Sequence, residues 1–190
     1  MEITLEEKKA LLKAARETIH AAFGRMDTPA PDYSKYPALK WESGAFVTLT
    51  INQELRGCIG YIESDKYLYE TICDAAKQAA FHDPRFYPLS AKEYEQVEIE
   101  ISVLTPAEPI KSYDEIEIGK HGLIVQENGR RGLLLPQVAT EYNMTRDEFL
   151  EAICQKAGLD KNLWRRKQIN LMVFSALVFN EKEIGEGHGN

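Results

Sequence analysis

The chain has 190 residues, of which 44% are hydrophobic and 28% are charged, and its formal net charge is −7. This composition is typical of a globular protein with enough residues for one sizeable core or two small ones. The negative charge argues against a face that binds a nucleic-acid backbone, and the longest uncharged stretch, residues 168–180, is too short to span a membrane.

Cysteine usage and the amino terminus indicate a cytoplasmic protein. The first twenty residues are charged and amphipathic, without the apolar core of a signal peptide. Cys58, Cys73 and Cys154 are widely spaced and form no CxxC pair, which argues against a disulfide framework and against a cysteine zinc site. We expect reduced thiols.

The first half of the chain predicts helices alternating with half-buried strands. The predicted elements are a helix over 5–23 opened by the capping box of Thr4 and Glu7, a hairpin with arms at 45–51 and 55–59, a helix from Leu68 to about His82, a short helix opened by the capping box of Ser90 and Glu93, and a strand over 97–103.

From residue 107 the pattern changes. The predicted elements are a short strand at 115–118, a hairpin of 122–126 and 131–135 around Asn128-Gly129, a helix opened by the capping box of Thr145 and Glu148 and stopped by Gly158, and a strand over 171–179. This last strand is apolar on both faces, as in the centre of a covered sheet.

These elements predict an α+β fold with two sub-domains. Residues 1–106 and 168–190 are expected to form the larger one, an antiparallel sheet with flanking helices. Residues 107–167 are expected to form a smaller inserted one, a short antiparallel sheet plus helices. Two lobes joined by two chain crossings predict a cleft, which is a common position for binding sites.

The hexapeptide from Leu55 to Gly60 is the most unusual stretch of the chain. In a strand, Leu55, Gly57 and Ile59 face one way, and Arg56, Cys58 and Gly60 the other. A strand glycine allows a backbone or a ligand to come close, and a guanidinium beside a thiol favours the thiolate. The structural alternative is a buried, inert Cys58 with Arg56 paired to a carboxylate such as Glu98 or Glu100.

A second group of polar side chains follows the helix that begins at Leu68. His82 is a candidate general base for Cys58, and Arg85 is a candidate clamp for a carboxylate or phosphate. In the structural alternative, His82 stabilises the carboxyl end of the helix, Asp83 and Pro84 form a turn, and Arg85 supports the loop.

Metal and nucleic-acid sites have little support in the sequence. His20, His121 and His188 lack a partner at helical spacing, so no metal site is predicted. Two basic clusters, Arg130-Arg131 and residues 161–167, are typical of solvated surface and lack interleaved aromatic residues that would stack on bases.

The chain resembles the AMMECR domain family, which is also called AmmeMemoRadiSam system protein A in prokaryotes. The resemblance covers nearly the whole chain in order. It rests on the segments LRGCIG (55–60), DPRF (83–86), EISVLTP (100–106), HGL (121–123), LPQVA (135–139) and KAGL (156–159). Tyr87, where the family often has proline, is a departure in a loop.

The resemblance implies a two-lobed α+β fold with the hexapeptide facing the groove between the lobes. It supplies a site but no reaction, because the family has no established biochemical activity. It also implies Memo-like and radical-SAM proteins as a functional context.

Our leading hypothesis is a cofactor-free protein that binds a partner or a sizeable ligand in the cleft. The candidate binding residues are Leu55, Arg56, Gly57, Cys58, Ile59, Gly60, Asp83 and Arg85. One alternative is a cysteine-dependent enzyme that uses Cys58, with His82 as base. Another is RNA binding through Arg130, Arg131 and the helix at 161–167.

Overall fold

A computed structural model describes residues 2–24 and 30–185. The predicted fold class is confirmed: the chain is an α+β protein with two antiparallel four-stranded sheets and flanking helices. The helices are α1 (Leu5–Gly24), α2 (Leu68–Phe81), α3 (Ala91–Tyr94), α4 (Pro136–Glu141), α5 (Arg146–Lys156), α6 (Leu163–Arg166) and α7 (Glu181–Gly185). The strands are β1 (Ala45–Ile51), β2 (Glu54–Tyr61), β3 (Glu98–Leu104), β4 (Glu108–Pro109), β5 (Gly122–Glu127), β6 (Arg130–Leu134), β7 (Leu171–Phe174) and β8 (Ala176–Asn180).

Contacts within the chain define two compact units. The first unit is Met1–Leu104 with Leu177–Asn190, and the second unit is Thr105–Ala176. The first sheet has the strand order β2-β1-β3-β8, and the second has the order β4-β7-β5-β6. None of the helices in residues 2–24 and 30–185 is long and apolar enough to cross a membrane.

The core of the first unit lies between its sheet and the helices α1 and α2. Ala45, Val47 and Leu49 of β1 are fully buried and belong to one apolar cluster with Leu11 and Ile72 of the helices. Because side chains alternate along a strand, the residues between them face the other side of the sheet. The register places Thr48 there, beside Cys58 of β2 and Glu100 of β3.

Local signals in the sequence explain the ends of several elements. Thr4 and Glu7 form the predicted capping box of α1, and the buried Glu7 carboxylate also accepts the Ala38 N–H at 2.8 Å. At the turn between β5 and β6, Asn128 and Gly129 have φ of 51° and 75°, as the predicted hairpin requires.

The core of the second unit packs α5 onto the sheet that contains β5 and β7. Phe149, Leu150 and Ile153 are fully buried beside Leu123 and Leu171. Thr145 forms the predicted capping box of α5, and Gly158 follows the helix at a φ of 69°.

The prediction of one strand over 171–179 is wrong. It is divided into β7, which pairs with β4 and β5, and β8, which lies at the edge of the first sheet. The break occurs at Ser175, whose N–H donates to the Thr105 hydroxyl and whose carbonyl accepts the Thr105 N–H, both at 2.8 Å. Residues 168–176, which we expected in the larger sub-domain, therefore belong to the second unit.

Two smaller differences concern short elements. The predicted strand at 115–118 is absent, because Ser112 caps a 3-10 turn over Tyr113–Glu115. The helices α4 and α7 were not expected from the sequence pattern. His188 lies outside the described residues.

Candidate functional site

The hexapeptide forms most of β2, and a bulge sets its geometry. Leu49 pairs with Gly57, and Thr50 pairs with Leu55, so Arg56 is an extra residue with no partner on β1. A bulge of this kind bends the strand and redirects the side chain of the extra residue. The bulge therefore places Arg56 outside the regular alternation that the sequence predicted.

The two glycines of the hexapeptide serve close packing. A Cβ atom on Gly57 would lie 2.3 Å from the carbonyl oxygen of Ala79 in α2, and one on Gly60 would lie 2.4 Å from the ring of Phe46. Ile59 packs against the core of the first unit. Gly57, Gly60 and Ile59 thus position the strand, and Leu55, with 44% of its surface exposed, is accessible.

Arg56 is fixed by a carboxylate that the sequence did not indicate. Its Nε donates to Glu93 Oε1 at 2.9 Å, and its Nη2 donates to Glu93 Oε2 at 3.3 Å and to the Tyr87 carbonyl at 2.9 Å. The hydrogen bond from this guanidinium, together with the hydrogen bonds from Ser90, lowers the pKa of Glu93 to about 2. The expected pairing with Glu98 or Glu100 is wrong, because β1 lies between β2 and the strand that carries them.

Asp83 and Arg85 bracket the main chain of Cys58. The buried Asp83 carboxylate accepts the Cys58 N–H at 2.9 Å, while Nη2 of Arg85 donates to the Cys58 carbonyl at 3.2 Å. The two side chains are joined by Nε–Oδ1 and Nη2–Oδ2 contacts of 3.0 and 2.7 Å. The hydrogen bond and charge of Arg85, with the Cys58 N–H, hold the pKa of Asp83 well below its usual range.

This bracket occupies the free edge of β2, which is the outermost strand of its sheet. Its carboxylate takes the place of a neighbouring strand's carbonyl, and its guanidinium takes the place of a neighbouring strand's N–H. The ion pair therefore satisfies the Cys58 main chain and protects part of the edge from pairing with another chain.

The Cys58 thiol is half-buried, and its sulfur lies 3.3 Å from the Thr48 hydroxyl. His82 has an exposed side chain at the end of α2, where its main-chain N–H donates to the Gln78 carbonyl. Among the described contacts, the imidazole has none with the Cys58 sulfur. The hypothesis of a cysteine-dependent enzyme that uses Cys58, with His82 as base, stays a prediction.

The loop after α2 presents a set of exposed side chains. Tyr87 is 89% exposed, and the Arg85 side chain is 53% exposed. Phe86 is half-buried, and its ring centroid lies 5.6 Å from the guanidinium carbons of both Arg56 and Arg85.

The structure thus brings Arg56, Cys58, Asp83 and Arg85 together, and it adds residues that the sequence motifs did not indicate. The sequence indicated Glu93 only as part of the capping box with Ser90, and that capping box is present. Its contact with Arg56, 37 residues away, had no local signal. Tyr87 was noted only as a departure from the family pattern.

The other histidines and the basic clusters have structural partners. His20 stacks on Tyr94, and His121 accepts the Glu117 N–H. Within the described ranges no three His, Cys, Asp or Glu side chains are grouped in a way that could hold a metal ion.

Ion pairs reduce the free positive charge of the cluster at 161–167. Arg165 pairs with Asp147 and Glu151, Arg166 with Asp160, and Lys167 with Glu127. Arg130 of the other cluster donates to the Gly158 carbonyl. This pairing weakens the case for RNA binding through these residues, which stays a prediction.

The two sheets, their helices and the ion-paired edge strand define a two-unit α+β protein with a site built around one hexapeptide. A family model described as AMMECR1 matches residues 12–179, so the chain belongs to the AMMECR1 family, as the resemblance predicted.

Relatives and a solved structure match nearly the whole chain. A protein of Methanosarcina barkeri is 41% identical over 95% of this chain and 93% of its own length. A protein of Aquifex aeolicus is 42% identical over 92% of this chain and 93% of its own length. The crystal structure of an uncharacterized protein from Pyrococcus horikoshii matches with a TM-score of 0.79 at 34% identity, covering 96% of this chain and 95% of that one.

Proposed function

We propose that the chain is a cytoplasmic binding protein that recognises a protein partner through residues 83–88, which we name the partner loop. The observation that carries the proposal is the Asp83–Arg85 bracket, which fixes a half-exposed guanidinium two residues before Tyr87, a residue that is 89% exposed. Arginine and tyrosine are enriched among the residues that dominate binding energy at protein interfaces.

Two ion pairs hold the loop at its two ends. Asp83 and Arg85 attach the start of the loop to the main chain of Cys58. Arg56, which pairs with Glu93, donates to the Tyr87 carbonyl and so holds the other end. A loop that is already ordered loses less conformational entropy on binding than a flexible one. In this proposal Arg56, Cys58 and Asp83 are positioning residues, and Arg85, Tyr87 and Leu55 contact the partner.

The family context indicates which partners to test first. The resemblance implies association with Memo-like and radical-SAM proteins, so we propose these two classes as binding partners. The cleft expected between the lobes stays a prediction, and the surface described above lies within the first unit.

The test measures binding of purified Memo-like and radical-SAM proteins from the same organism by titration calorimetry. We expect Tyr87→Ala to weaken binding by about 2 kcal/mol, or roughly thirtyfold in Kd, as for a central interface residue. The fold should be unaffected, because Tyr87 is 89% exposed.

Tyr142→Ala is the matched control, since Tyr142 is 71% exposed and belongs to the second unit. Arg85→Gln tests the guanidinium, with Arg165→Gln as its control, because Arg165 is also half-exposed and paired with carboxylates. Equal affinities for Tyr87→Ala, Arg85→Gln and the unmodified chain would rule out the partner loop as the binding surface.

A further inference from the structure

The free edge of β2 continues beyond the part that the Asp83–Arg85 bracket covers. β2 is the outermost strand of the first sheet, and Cys58 directs both its N–H and its carbonyl away from β1. In an antiparallel strand, the main-chain groups of residues two positions apart point the same way. The N–H and the carbonyl of Gly60 and the N–H of Ile62 therefore also point away from β1.

These three main-chain groups have no partner in the described part of the chain. Among residues 2–24 and 30–185, no loop or side chain forms a hydrogen bond with the N–H or the carbonyl of Gly60 or with the N–H of Ile62. Gly60 is half-buried and Ile62 is 39% exposed, so another chain can reach them. Two donors and one acceptor in a row are the groups with which a neighbouring strand pairs.

The first unit carries the whole net charge of the chain. It contains 13 basic and 20 acidic residues, whereas the second unit contains ten of each. Close to the free edge, Asp65 is exposed, and the neighbouring ammonium of Lys66 pairs with Asp74. This charge attracts a cationic segment, whereas a second copy of the chain carries the same charge and is repelled.

We propose that an extended segment of the protein partner, containing lysine or arginine, adds to the first sheet as a strand beside Gly60. One partner residue exchanges two hydrogen bonds with Gly60, and the carbonyl of another accepts the N–H of Ile62. Strand addition of this kind uses an exposed sheet edge with unpaired main-chain groups. The bracket ends the free edge at Cys58, so the paired segment is short. The proposal rests on the proposed function, because this edge continues the surface of the partner loop.

The experiment titrates a heptapeptide of alternating lysine and valine into the isotope-labelled full chain and follows the main-chain amides by NMR. We expect saturable shifts at the amides of Gly60 and Ile62. The same peptide with N-methyl groups on its three central residues should bind about tenfold more weakly, because it lacks the donors that strand pairing needs. A heptapeptide of alternating glutamate and valine should bind about fivefold more weakly, because its charge is reversed.

A pair of variants at Ile62 tests the main chain itself. Ile62→Pro removes the N–H, whereas Ile62→Ala shortens the side chain and keeps the N–H. We expect Ile62→Pro to bind the lysine peptide about fivefold more weakly than Ile62→Ala does, which is the scale of one hydrogen bond. The residue directly follows β2 at the sheet edge, where proline is tolerated. If Ile62→Pro does not fold, as judged by circular dichroism, the N-methylated peptide decides the result.

The proposal is overturned if the amides of Gly60 and Ile62 do not shift, or if the lysine peptide binds no more tightly than its N-methylated form or the glutamate peptide. Equal affinities of Ile62→Pro and Ile62→Ala would also overturn it. Dimers that Ile62→Pro dissociates, without peptide binding, would assign the edge to a second copy of the chain. Tyr87→Ala should bind the lysine peptide normally, so failure at this edge is distinguishable from failure of the partner loop.

Discussion

At the scale of single residues, Asp83 connects the loop, the strand edge and the neighbouring arginine. It is 4% exposed and accepts hydrogen bonds from the main chains of both Cys58 and Arg85. The Arg85 side chain supplies the compensating positive charge. A carboxylate in such surroundings stabilises the folded state only while it is ionised.

The lowered pKa of Asp83 predicts a pH-dependent contribution to stability. The folded-state pKa lies below the unfolded value of about 3.9, so the contribution is fully present above that value and is lost as the pH falls through the folded-state pKa. We expect Asp83→Asn to lower the free energy of unfolding at pH 7 by about 2 kcal/mol. Below pH 4 the variant and the unmodified chain should converge, as measured by urea unfolding from pH 7 to pH 2.

Asp147→Asn is the control, because Asp147 is 54% exposed and forms a surface pair with Arg165. It should change the free energy of unfolding by less than about 1 kcal/mol. A difference between Asp83→Asn and the unmodified chain that is the same at pH 7 and pH 2 would contradict the assignment of the ion pair.

At the scale of elements, the close contact of β2 with α2 depends on Gly57, which has no side chain. Gly57→Ala would place a methyl group 2.3 Å from the Ala79 carbonyl oxygen. The backbone of the helix must then move, so we expect a loss of about 3 kcal/mol in the free energy of unfolding. Thermal and urea unfolding measure this loss.

Gly185→Ala is the matched control, because a Cβ atom there meets nothing within 4 Å among the described residues. It should be nearly neutral. A Gly57→Ala variant as stable as Gly185→Ala would mean that α2 does not approach β2 as closely as the structure shows.

Periodicity and capping signals were sufficient to predict most elements. Alternation located β1 and β3, and the capping boxes of Thr4, Ser90 and Thr145 marked three helix starts. Residues 171–179 were less informative, because a run that is apolar on both faces has no alternation that reveals a break at Ser175.

The candidate site could be predicted only in part, because some of its contacts have no local signal in the sequence. The hexapeptide and the DPRF segment were each unusual in composition, and their residues Cys58, Asp83 and Arg85 do meet. The bulge at Arg56 and the pairing with Glu93 depend on strand register and on contacts between distant residues. Neither of these has a local signal in one sequence.

At the scale of the whole molecule, the two units differ in how the chain forms them. The second unit is one continuous stretch, Thr105–Ala176, with its own sheet and its own apolar cluster. We therefore expect a fragment of residues 105–176 to fold alone and to unfold cooperatively in urea. Circular dichroism measures whether the fragment is folded, and urea denaturation measures whether it unfolds cooperatively.

The same fragment with Phe149→Ala should lose its folded state. Phe149 is fully buried, and truncation of a core phenylalanine costs about 3–5 kcal/mol, which is most of the stability of a small domain. Tyr142→Ala, at an exposed position, should leave the fragment folded. A fragment without a cooperative transition would show that this unit needs the rest of the chain.

The position of β8 in the first sheet has a consequence for synthesis on the ribosome. The strand that pairs with β3 at that edge is β8, and its residues 177–180 are made after the whole of the second unit. A nascent chain can therefore complete the second unit while the first sheet still lacks a strand and β3 has an unpaired edge. Premature termination before residue 176 would leave that edge permanently open, and such products are expected to aggregate or to be degraded.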